Sequence, residues 1–599
     1  MSEETVPPGK IKCFITGKLR NSTPEELVRQ VVARSLVEEY GYQKRDIDME
    51  FTLKMGTAKK RADIVVFLEN KKHEQENAYI IIETKKEEVK PSDKKEGLSQ
   101  LESYVAASPN CSFALWVGNE RLSFNVVKED GRRVTKQIPD IPRNGESSIP
   151  KPTRGSLVPA VNLKQVFRRT HNYIYVNQGF QKDKAFEELQ KLIFIKVYDE
   201  QYSPALQFYM LPGEPISNVR VRLLSVFEKV RNRYKYIFRP NESLELNDDV
   251  LGYVVSELQR FSLVDTETDV KGEAYEEIVG PNLRGDRGEF FTPRNVCRMT
   301  IRMVFSLFTE GELTSPGSMK ILDPAVGTGG FLIAGIQELK QLFSKRGAKH
   351  DQLRDLVRDV ANSNYYGIDF NPFLVKVAQM NMVMHGDGSS NIEHVNSLEK
   401  PEKWDEETRK NIKLGEFDIV VTNPPFGTKA VIDNPEILDQ YELKTLGGET
   451  QRTVLPPEQL FIERCLAFLK PNGLLGIVLP NSILTNPGLL WVREWLLRRA
   501  VVIASIDLPV ETFQPHTGTQ TSVLILRKRN EKMEDSSLNY TTFMAIPEKV
   551  GHDRRGNPIF VTAPDGTIEL DSNGLSLIDD DLPGVADAFR EWVIKKGMI

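Results

Sequence analysis

A tetrapeptide that follows an apolar run carries the residues with the clearest chemical use. Asn423-Pro424-Pro425-Phe426 comes directly after Phe417–Thr422, an order that predicts a buried strand and a turn at the carboxyl edge of a sheet. The Asn423 side-chain oxygen and the Pro424 carbonyl could accept the two hydrogens of an exocyclic amino group such as that of adenine. The prolines fix the backbone that aims these two acceptors. Phe426 could stack on a base drawn out of a duplex. The competing interpretation is a strand-end turn with a buried phenylalanine.

A glycine-rich turn between a predicted strand and a predicted helix forms a second candidate site. Glycines let the backbone approach a ligand closely, and the N-terminus of the helix offers N–H donors. Asp323, at the end of the strand, could meet the amino group of S-adenosylmethionine, and Asp369, at the end of the next short strand, could accept from both ribose hydroxyls. Such turns occur in many nucleotide folds, so this one is weak evidence alone. The turn contains Gly327, Thr328 and Gly329.

Two acidic residues and a lysine in the N-terminal part of the chain suggest a metal-dependent site. Asp63 lies near the start of one predicted strand, and Glu83 and Lys85 end another. In a hairpin, Asp63 would lie beside Glu83, and strand alternation would put Glu83 and Lys85 on one face. The two carboxylates and the Thr84 carbonyl would offer the hard oxygen ligands that suit Mg²⁺, and Lys85 could orient or activate a water. The competing interpretation is a pair of solvated strand ends.

A further segment, 287–294, has the sequence Arg-Gly-Glu-Phe-Phe-Thr-Pro-Arg and predicts a helix with Thr292 as its cap and Pro293 at its first position. Together with the glycine turn and the tetrapeptide, in this order between 246 and 560, it resembles the modification subunits of type I restriction systems, which are N6-adenine DNA methyltransferases. The resemblance implies that Asn396 contacts the cofactor's adenine, where the family usually has an acid. It also implies a methionine-binding role for Glu289, Phe290, Phe291, Thr292, Pro293 and Arg294.

The N-terminal motif also resembles a known family. A helix, a hairpin, a second helix and a further strand follow one another between 23 and 127, which is the order of PD-(D/E)xK nucleases. Gln100, one turn before Tyr104 on the second helix, resembles an addition in the nuclease domain of type I restriction subunits and would help to position the strand. The first helix is expected to present Leu27, Val28 and Val31 on one face. Two hypotheses stay open, an active endonuclease and a catalytically silent DNA-binding relic.

Composition limits the class of protein. Of 599 residues, 40% are hydrophobic and 27% charged, as in soluble globular proteins of several domains. No apolar stretch reaches the ~18 residues of a membrane span, and the four scattered cysteines favour neither zinc nor disulfides, so we expect a cytoplasmic, prokaryotic protein. With a net charge of -5, phosphate contacts must come from local patches or from a partner. One candidate patch, more simply interpreted as a solvated helix face, contains Arg220, Arg222, Lys229, Arg231, Arg233 and Lys235.

We predict an α/β multidomain protein with five segments. They are a PD-(D/E)xK endonuclease domain (1–140), a proline- and glycine-rich linker (141–160), a helical domain (161–279), a Rossmann-like S-adenosylmethionine-dependent methyltransferase core (280–529) and a tail (530–599). The tail is too short for a target-recognition domain, so we expect it to dock a separate specificity subunit. No Gly-x-x-x-x-Gly-Lys-Ser/Thr loop occurs, and ATP-driven translocation is therefore not expected.

The residues and the resemblances together predict a bifunctional subunit, similar to the fused restriction–modification subunits of type IIB-like or other type I-derived systems. It would be a site-specific DNA-methyltransferase (adenine-N6) using S-adenosylmethionine, and a type II-like endodeoxyribonuclease using Mg²⁺. Its partners would be double-stranded DNA and a specificity subunit, through which copies of the chain could form a homo-oligomer, with no membrane involved. Two alternatives stay open: a methyltransferase whose N-terminal domain only grips DNA, and a non-catalytic component of a phage-defence complex. A protein glutamine methyltransferase shares the tetrapeptide but would not normally carry the Phe-Phe-Thr-Pro segment or the N-terminal motif.

Overall fold

The computed structural model describes residues 5–266, 270–271, 274, 291–386, 388–427, 431–446, 452–531, 540–571 and 576–598. The chain forms two compact units: an N-terminal unit, Met1–Asn282 with Thr562–Leu575, and a C-terminal unit, Leu283–Val561 with Ser576–Ile599. The predicted nuclease segment and the whole predicted helical segment therefore fall in the N-terminal unit, and the predicted tail is divided between both units. Within the described residues, no helix has both the length and the apolar character that crossing a membrane requires.

The strands of the N-terminal unit form one six-stranded sheet and two separate pairs of short strands. In chain order they are β1 (Thr5–Val6), β2 (Lys10–Lys12), β3 (Leu19–Asn21), β4 (Ile47–Met55), β5 (Ala58–Phe67), β6 (Ala78–Thr84), β7 (Phe113–Val117), β8 (Arg121–Glu129) and β9 (Arg132–Ile138). Strands β4 to β9 pair in sequence order, and only β6 and β7 are parallel. Three consecutive isoleucines of β6, residues 80–82, are fully buried, as expected of a strand covered on both faces.

The helices described in the N-terminal unit are α1 (Pro24–Glu38), α2 (Leu98–Ala107), α3 (Leu163–Gln178), α4 (Lys182–Tyr202), α5 (Ile216–Arg233) and α6 (Asp248–Leu258). Thr23 caps α1, because its hydroxyl accepts the Glu26 N–H at 3.2 Å. The prediction of an apolar buried face on α1 is partly wrong. Leu27 is 45% exposed, whereas Glu26, Arg29 and Gln30 are buried. Hydrogen bonds and ion pairs, rather than an apolar stripe, decide which side of this turn is buried.

The segment 141–160, expected to be a linker, is anchored to the sheet where it begins. Asp140 and Ile141 are buried, and Asp140 Oδ1 accepts from the Tyr40 hydroxyl at 2.6 Å and from Arg121 Nη2 at 2.7 Å. Arg260, just after α6, has its Nη1 3.7 Å from Asp140 Oδ2. This buried charge cluster joins the sheet to the helical part of the same unit.

The strands of the C-terminal unit form an eight-stranded sheet in the order β12-β11-β10-β13-β14-β16-β15-β17. Their bounds are β10 (Ile321–Asp323), β11 (Tyr365–Asp369), β12 (Ile392–His394), β13 (Phe417–Thr422), β14 (Leu469–Pro480), β15 (Ala500–Asp507), β16 (Thr521–Lys528) and β17 (Phe543–Ala545). Neighbouring strands within the group β10 to β14 run parallel to one another, whereas β16 runs antiparallel to both β14 and β15. Strand order reverses at β10, which lies between β11 and β13, and open α/β sheets bind ligands at the carboxyl ends beside such a point.

Helices cover both faces of this sheet, as the predicted Rossmann-like core requires. One face packs against α7, α9, α10, α11 and α17, and the other against α14 and α16. A last strand, β18 (Ile568–Glu569), returns to the N-terminal unit and pairs antiparallel with β1. The helices described are α7 (Arg294–Phe305), α8 (Glu310–Thr314), α9 (Gly330–Lys345), α10 (His350–Asn364), α11 (Pro372–His385), α12 (Glu406–Asn411), α13 (Pro435–Leu438), α14 (Pro457–Phe468), α15 (Asn481–Thr485), α16 (Leu490–Leu497) and α17 (Leu582–Lys595).

The buried charge cluster predicts a large stability effect. Replacing Asp140 by alanine leaves Arg121 and the Tyr40 hydroxyl without their shared acceptor, so we expect about 3–5 kcal/mol of destabilisation. The measurement is the urea-unfolding transition of the N-terminal unit. As a control, Glu129→Ala removes an exposed ion pair with Lys136 and should cost less than about 1 kcal/mol. Equal effects of the two substitutions would contradict this account of the cluster.

Candidate functional site

A cavity of about 400 Å³ opens among the carboxyl ends of β10, β11 and β13. Its volume is in the range of small-molecule and cofactor sites. The structure therefore gathers residues that the sequence placed in separate motifs more than a hundred positions apart. The predicted site residues that line the cavity are Phe291, Thr292, Asp323, Gly327, Thr328, Asp369, Asn396, Asn423 and Pro425.

The glycine turn is held in place by the acid of the neighbouring strand. Gly327 N–H donates to Asp369 Oδ2 at 2.9 Å, and the Asn371 N–H donates to Asp369 Oδ1 at 2.9 Å. Gly327 and Gly329 have φ values of +53° and +85°, in the left-handed region that favours glycine. Asp369 thus shapes the turn as well as lining the cavity.

Asp323 is a carboxyl buried at the bottom of this edge, with 1% of its surface exposed. Its Oδ1 accepts the Ala325 N–H at 3.1 Å. Burial, with a smaller contribution from the charge of Asp369, raises the pKa of Asp323 to about 7 against the opposing effect of its hydrogen bonds. A carboxylate that water does not solvate is a strong binding site for a cationic group.

Asn423 presents a side-chain acceptor that none of the described protein groups uses. Its Nδ2 donates to the Thr292 hydroxyl oxygen at 3.0 Å, which sets the orientation of the amide. Its Oδ1 is buried and has no hydrogen-bond partner in the described part of the chain. Leaving such an acceptor unsatisfied costs about 1–3 kcal/mol, and buried polar groups of this kind call for a functional explanation.

Three sequence predictions about this site need correction. Phe426 does not line the cavity; its ring is 2% exposed and packs edge-on against Phe513 at 6.1 Å. The helix after Phe-Phe-Thr-Pro begins at Arg294 with Pro293 in the cap position, so Thr292 does not cap it and bonds to Asn423 instead. Neither Pro293 nor Arg294 lines the cavity.

Three further predicted residues are not assigned to the cavity, and two residues that line it were not predicted. Glu289 and Phe290 lie outside the described residues, and Pro424 is not among the lining residues. Pro457 and Phe461 do line the cavity but were not predicted. They stand four positions apart on α14, and this helical spacing was the only local signal that they share a face.

The N-terminal unit brings its predicted acidic residues together, with Asp63 in the middle of β5 and Glu83 near the carboxyl end of β6. Ile64 pairs with Ile82 in the antiparallel register, which puts Asp63 and Glu83 side by side. Asp63 Oδ2 accepts from the Thr84 N–H at 2.8 Å, and Lys85 Nζ donates to Glu83 Oε1 at 2.8 Å.

Glu83 is the least satisfied member of this group. It is 1% exposed, and its Oε2 is buried with no hydrogen-bond partner in the described part of the chain. Burial, followed by the charge of Asp63, raises the pKa of Glu83 to about 7 against the opposing effect of Lys85. For Lys85, burial lowers the pKa, but the neighbouring Glu83 outweighs it and the net shift is upward.

Asp63, Glu83 and Lys85 form a cluster that we call the acidic group. The sequence analysis missed a further residue, Arg29 of α1, that pairs with this cluster. Its Nη2 donates to Asp63 Oδ1 at 2.6 Å, and its Nη1 donates to Glu26 Oε2 at 2.6 Å. Glu25 also approaches, with Oε1 4.0 Å from Lys85 Nζ. A guanidinium therefore sits against the carboxylate predicted to hold a metal. Only the burial of α1's polar residues, which a hydrophobic pattern does not show, would have revealed this pair.

The predicted Gln-x-x-x-Tyr pair contacts the backbone of β5 rather than the carboxylates. Gln100 Nε2 donates to the Tyr104 hydroxyl oxygen at 2.8 Å, and that hydroxyl donates to the Arg61 carbonyl at 3.2 Å. Arg61 is two residues before Asp63 in the same strand. The pair thus fixes the stretch of β5 that leads to Asp63, and the role expected of Gln100 in the nuclease site stays a prediction.

The parallel sheet, its glycine turn and the cavity at the reversal of strand order define the C-terminal unit as a Rossmann-like ligand-binding domain. Residues 266–591 match the family model described as N-6 DNA Methylase. Because the match covers more than half of the chain, the chain belongs to the N-6 DNA methylase family. Residues 24–142 match the model described as the N terminus of the type I restriction enzyme R protein.

Similar proteins include subunits and fused enzymes of restriction systems. The chain is 27% identical over 287 residues to the type I restriction enzyme EcoEI methylase subunit of Escherichia coli, covering 47% of this chain and 51% of that protein. It is 24% identical over 283 residues to the type II restriction enzyme and methyltransferase RM.BcgI of Heyndrickxia coagulans, covering 47% and 38%. The chain thus spans about half the length, or less, of these two relatives.

A solved structure is also among the similar proteins. The methyltransferase subunit of a type I restriction-modification system from Streptococcus thermophilus is 15% identical, with a TM-score of 0.45 over 75% of this chain and 98% of that one.

Replacing Asp323 by asparagine should stabilise the protein without ligand at pH 8. The pKa of this carboxyl rises on folding from 3.8 to about 7, so the folded state binds the proton more tightly, and wild-type stability falls as pH rises through 7. Removing the charge should recover up to ~4 kcal/mol at pH 8, and the gain should shrink towards pH 6. The measurement is the unfolding midpoint at both pH values, with the exposed Asp433→Asn as control. A pH-independent difference would contradict the assignment.

Proposed function

We propose that the chain methylates N6 of adenine in DNA with S-adenosylmethionine as the methyl donor. The observation that carries the proposal is the unpartnered Asn423 Oδ1 in a cavity that also contains the buried carboxyl of Asp323. An adenine amino group donates hydrogen bonds, and the amino group of the cofactor is cationic, so the two ligands would satisfy these two groups. Membership of the N-6 DNA methylase family supports the same chemistry.

Asn423 and Pro424 would act on the nucleophile. The lone pair of the adenine amino group is delocalised into the ring, which makes the nitrogen a poor nucleophile. Accepting its two hydrogens at Asn423 Oδ1 and at the Pro424 carbonyl would favour an sp³ nitrogen whose lone pair is free to attack. Thr292 would keep Oδ1 facing the substrate by engaging Asn423 Nδ2. Positioning of this kind accounts for much of the catalysis of a direct transfer.

The donor set of the cavity fits S-adenosylmethionine. Asp323 would pair with its amino group, Asp369 with the ribose hydroxyls and Asn396 with the adenine, while the Gly327–Gly329 turn allows close approach of the backbone. When bound, the cofactor supplies a methyl group made electrophilic by a cationic sulfur. Phe426 would stack on a flipped adenine only after its ring turned away from Phe513.

Two substitutions at Thr292 test the proposed orientation of Asn423. Thr292→Val keeps the shape but removes the hydroxyl, so we expect a loss of kcat of roughly tenfold or more with little change in S-adenosylmethionine affinity. Thr292→Ser keeps the hydroxyl and should restore most of kcat. Asn423→Ala should abolish methylation and leave cofactor binding intact. Methyl transfer to DNA and calorimetric cofactor binding are the two measurements. Full methylation by Asn423→Ala would overturn the proposed function.

We propose that recognition of the DNA target comes from a separate specificity subunit. Support comes from similarity to methylase subunits of type I restriction enzymes, whose description as subunits implies partners. The same partner would bring copies of this chain together into a homo-oligomer. The alternative is a chain that methylates DNA alone.

A second proposed activity is cleavage of DNA by the N-terminal unit. The observation that favours it is the juxtaposition of Asp63, Glu83 and Lys85 together with the unpartnered, buried Glu83 Oε2. The match of residues 24–142 to the N terminus of the type I restriction R protein supports this activity. The alternative is a silent domain that only binds DNA.

The Glu83 carboxylate fits a Mg²⁺ ion, because its Oε2 has no hydrogen-bond partner among the described residues. Asp63 and Glu83 would hold the ion, which would neutralise charge on a phosphate. Within the described residues, no group of three or more His, Cys, Asp or Glu side chains could hold a metal, so backbone or water oxygens would complete the shell. Arg29 would have to share or release Asp63 Oδ1. Lys85 would orient the attacking water.

Lys85→Ala should abolish cutting of unmethylated DNA and leave methylation unchanged. The expected loss is at least 100-fold, since general acid–base or orienting groups contribute about 10²–10⁴. Cleavage of plasmid DNA and methyl transfer are measured on the same preparation, with the neighbouring, solvent-exposed Lys86→Ala as matched control. Undiminished cutting by Lys85→Ala would show that the nuclease site lies elsewhere.

A further inference from the structure

Strands β4 and β5 continue beyond the main sheet as a two-stranded ribbon, residues 52–61. Strand β5 pairs with β6 only from Ile64 to Phe67, whereas its pairing with β4 continues to the last pair, Met55 with Ala58. Gly56 at the turn has a φ of +63°, as a tight hairpin turn favours. The ribbon therefore leaves the sheet next to the acidic group, since Asp63 follows it in β5.

The ribbon concentrates positive charge in a chain whose net charge is -5. Residues 52–61 contain four cations and no acidic residue. Lys54, Lys59, Lys60 and Arg61 are all exposed, and among the described residues only Arg61 of these four has an ion pair, with Glu50 at 3.6 Å. Lys54 is directly opposite Lys59 in the register, so like charges face one another without compensation, an arrangement that is unfavourable by itself.

A second hairpin in the same sheet shows that this charge distribution is not a general property of exposed strands here. The β8–β9 hairpin carries Lys128, Arg132 and Lys136, which are also exposed. Its turn contains Glu129 and Asp130, however, and Lys136 Nζ is 2.5 Å from Glu129 Oε1. That hairpin pairs one of its cations, Lys136, with an acidic residue of its own turn, whereas the β4–β5 ribbon contains no acidic residue.

The ribbon is also held rigid. Gln75 bonds to both backbone groups of Lys54, with its Oε1 accepting the N–H at 2.7 Å and its Nε2 donating to the carbonyl at 3.1 Å. On the other strand, the Tyr104 hydroxyl donates to the Arg61 carbonyl. Both strands are thus fixed by side chains from outside the ribbon, which lowers the entropic cost of binding a partner.

Strand alternation connects the ribbon to the acidic group. Lys59, Arg61 and Asp63 are alternate residues of β5 and share one face, with successive Cα atoms of this series about 7 Å apart. Phosphates of duplex DNA that contacted Lys59 and Arg61 would therefore continue towards Asp63 and Glu83. A two-stranded ribbon is also narrow enough to enter the major groove of B-DNA.

We infer that the β4–β5 ribbon is a docking surface for the phosphate backbone of double-stranded DNA, through Lys54, Lys59, Lys60 and Arg61. This inference rests on one part of the proposed function, namely that the chain acts on DNA. It does not depend on whether the acidic group cleaves DNA. Its contacts are sequence-independent, because phosphates position a protein without specifying bases. Target choice would remain with the specificity partner.

The test compares two triple variants of the full chain. The ribbon variant is Lys54→Gln, Lys59→Gln, Lys60→Gln, and the matched control is Lys128→Gln, Arg132→Gln, Lys136→Gln. Affinity for duplex DNA of arbitrary sequence is measured by fluorescence anisotropy over a salt series. Since each lost phosphate contact removes about 0.9 from the slope of log affinity against log salt, the ribbon variant should lose ~2–3 units of slope and the control less than ~1.

Equal slopes for the ribbon variant and the wild type, with duplex binding intact, would overturn the ribbon proposal alone and leave the proposed methylation standing. A wild-type chain that binds no duplex at low salt would overturn the ribbon together with action on DNA. Tighter binding to single-stranded RNA than to duplex DNA would also overturn it. Unchanged circular dichroism and thermal unfolding of the ribbon variant would show that any loss reflects charge rather than misfolding.

Discussion

The C-terminal unit buries an amide oxygen without a hydrogen-bond partner among the described residues and a carboxyl with a raised pKa, and the arrangement around its sheet edge depends on these two groups. Asn423 Oδ1 has no partner among the described residues, and Asp323 is a carboxyl whose pKa burial raises to about 7. Parallel strands with apolar cores on both faces supply the stability that tolerates them. The glycine turn and Thr292 then fix the two groups around one cavity. Such a site is poised for a donor and a cation, which is what an adenine amino group and a sulfonium cofactor bring.

Local order was predictable where it follows from short-range pattern. The apolar runs that became β10, β11 and β13, and the glycine turn before α9, lie where the sequence places them. The bond between Thr292 and Asn423 was not predictable, because it joins residues 131 positions apart. Phe426 was expected to face a ligand, yet its neighbour Phe513 covers it. In both cases the deciding contact comes from distant segments, and the spacing of residues near the motif carries no information about it.

The N-terminal unit illustrates a different failure of pattern reasoning. The predicted hairpin pairing of β5 with β6 does place Asp63 beside Glu83. The inner face of α1, in contrast, carries Glu26 and Arg29 rather than the expected Leu27, because charge pairing with Asp63 outweighs the burial of one leucine. The acidic group is thus balanced by Arg29 and Lys85, while the adjoining ribbon keeps its lysines uncompensated. This separation gives one surface for phosphates and one centre of carboxylates within a single unit.

The most direct test of the central claim is modified-base sequencing of DNA from cells that express this chain together with its genomic neighbours, compared with the same cells carrying Asn423→Ala. The account predicts N6-methyladenine at one defined motif in the wild type and its loss in the variant. A motif split into two parts would also support a separate specificity subunit. Absence of adenine methylation in the wild type, or its persistence in the variant, would contradict the role assigned to the cavity and to Asn423.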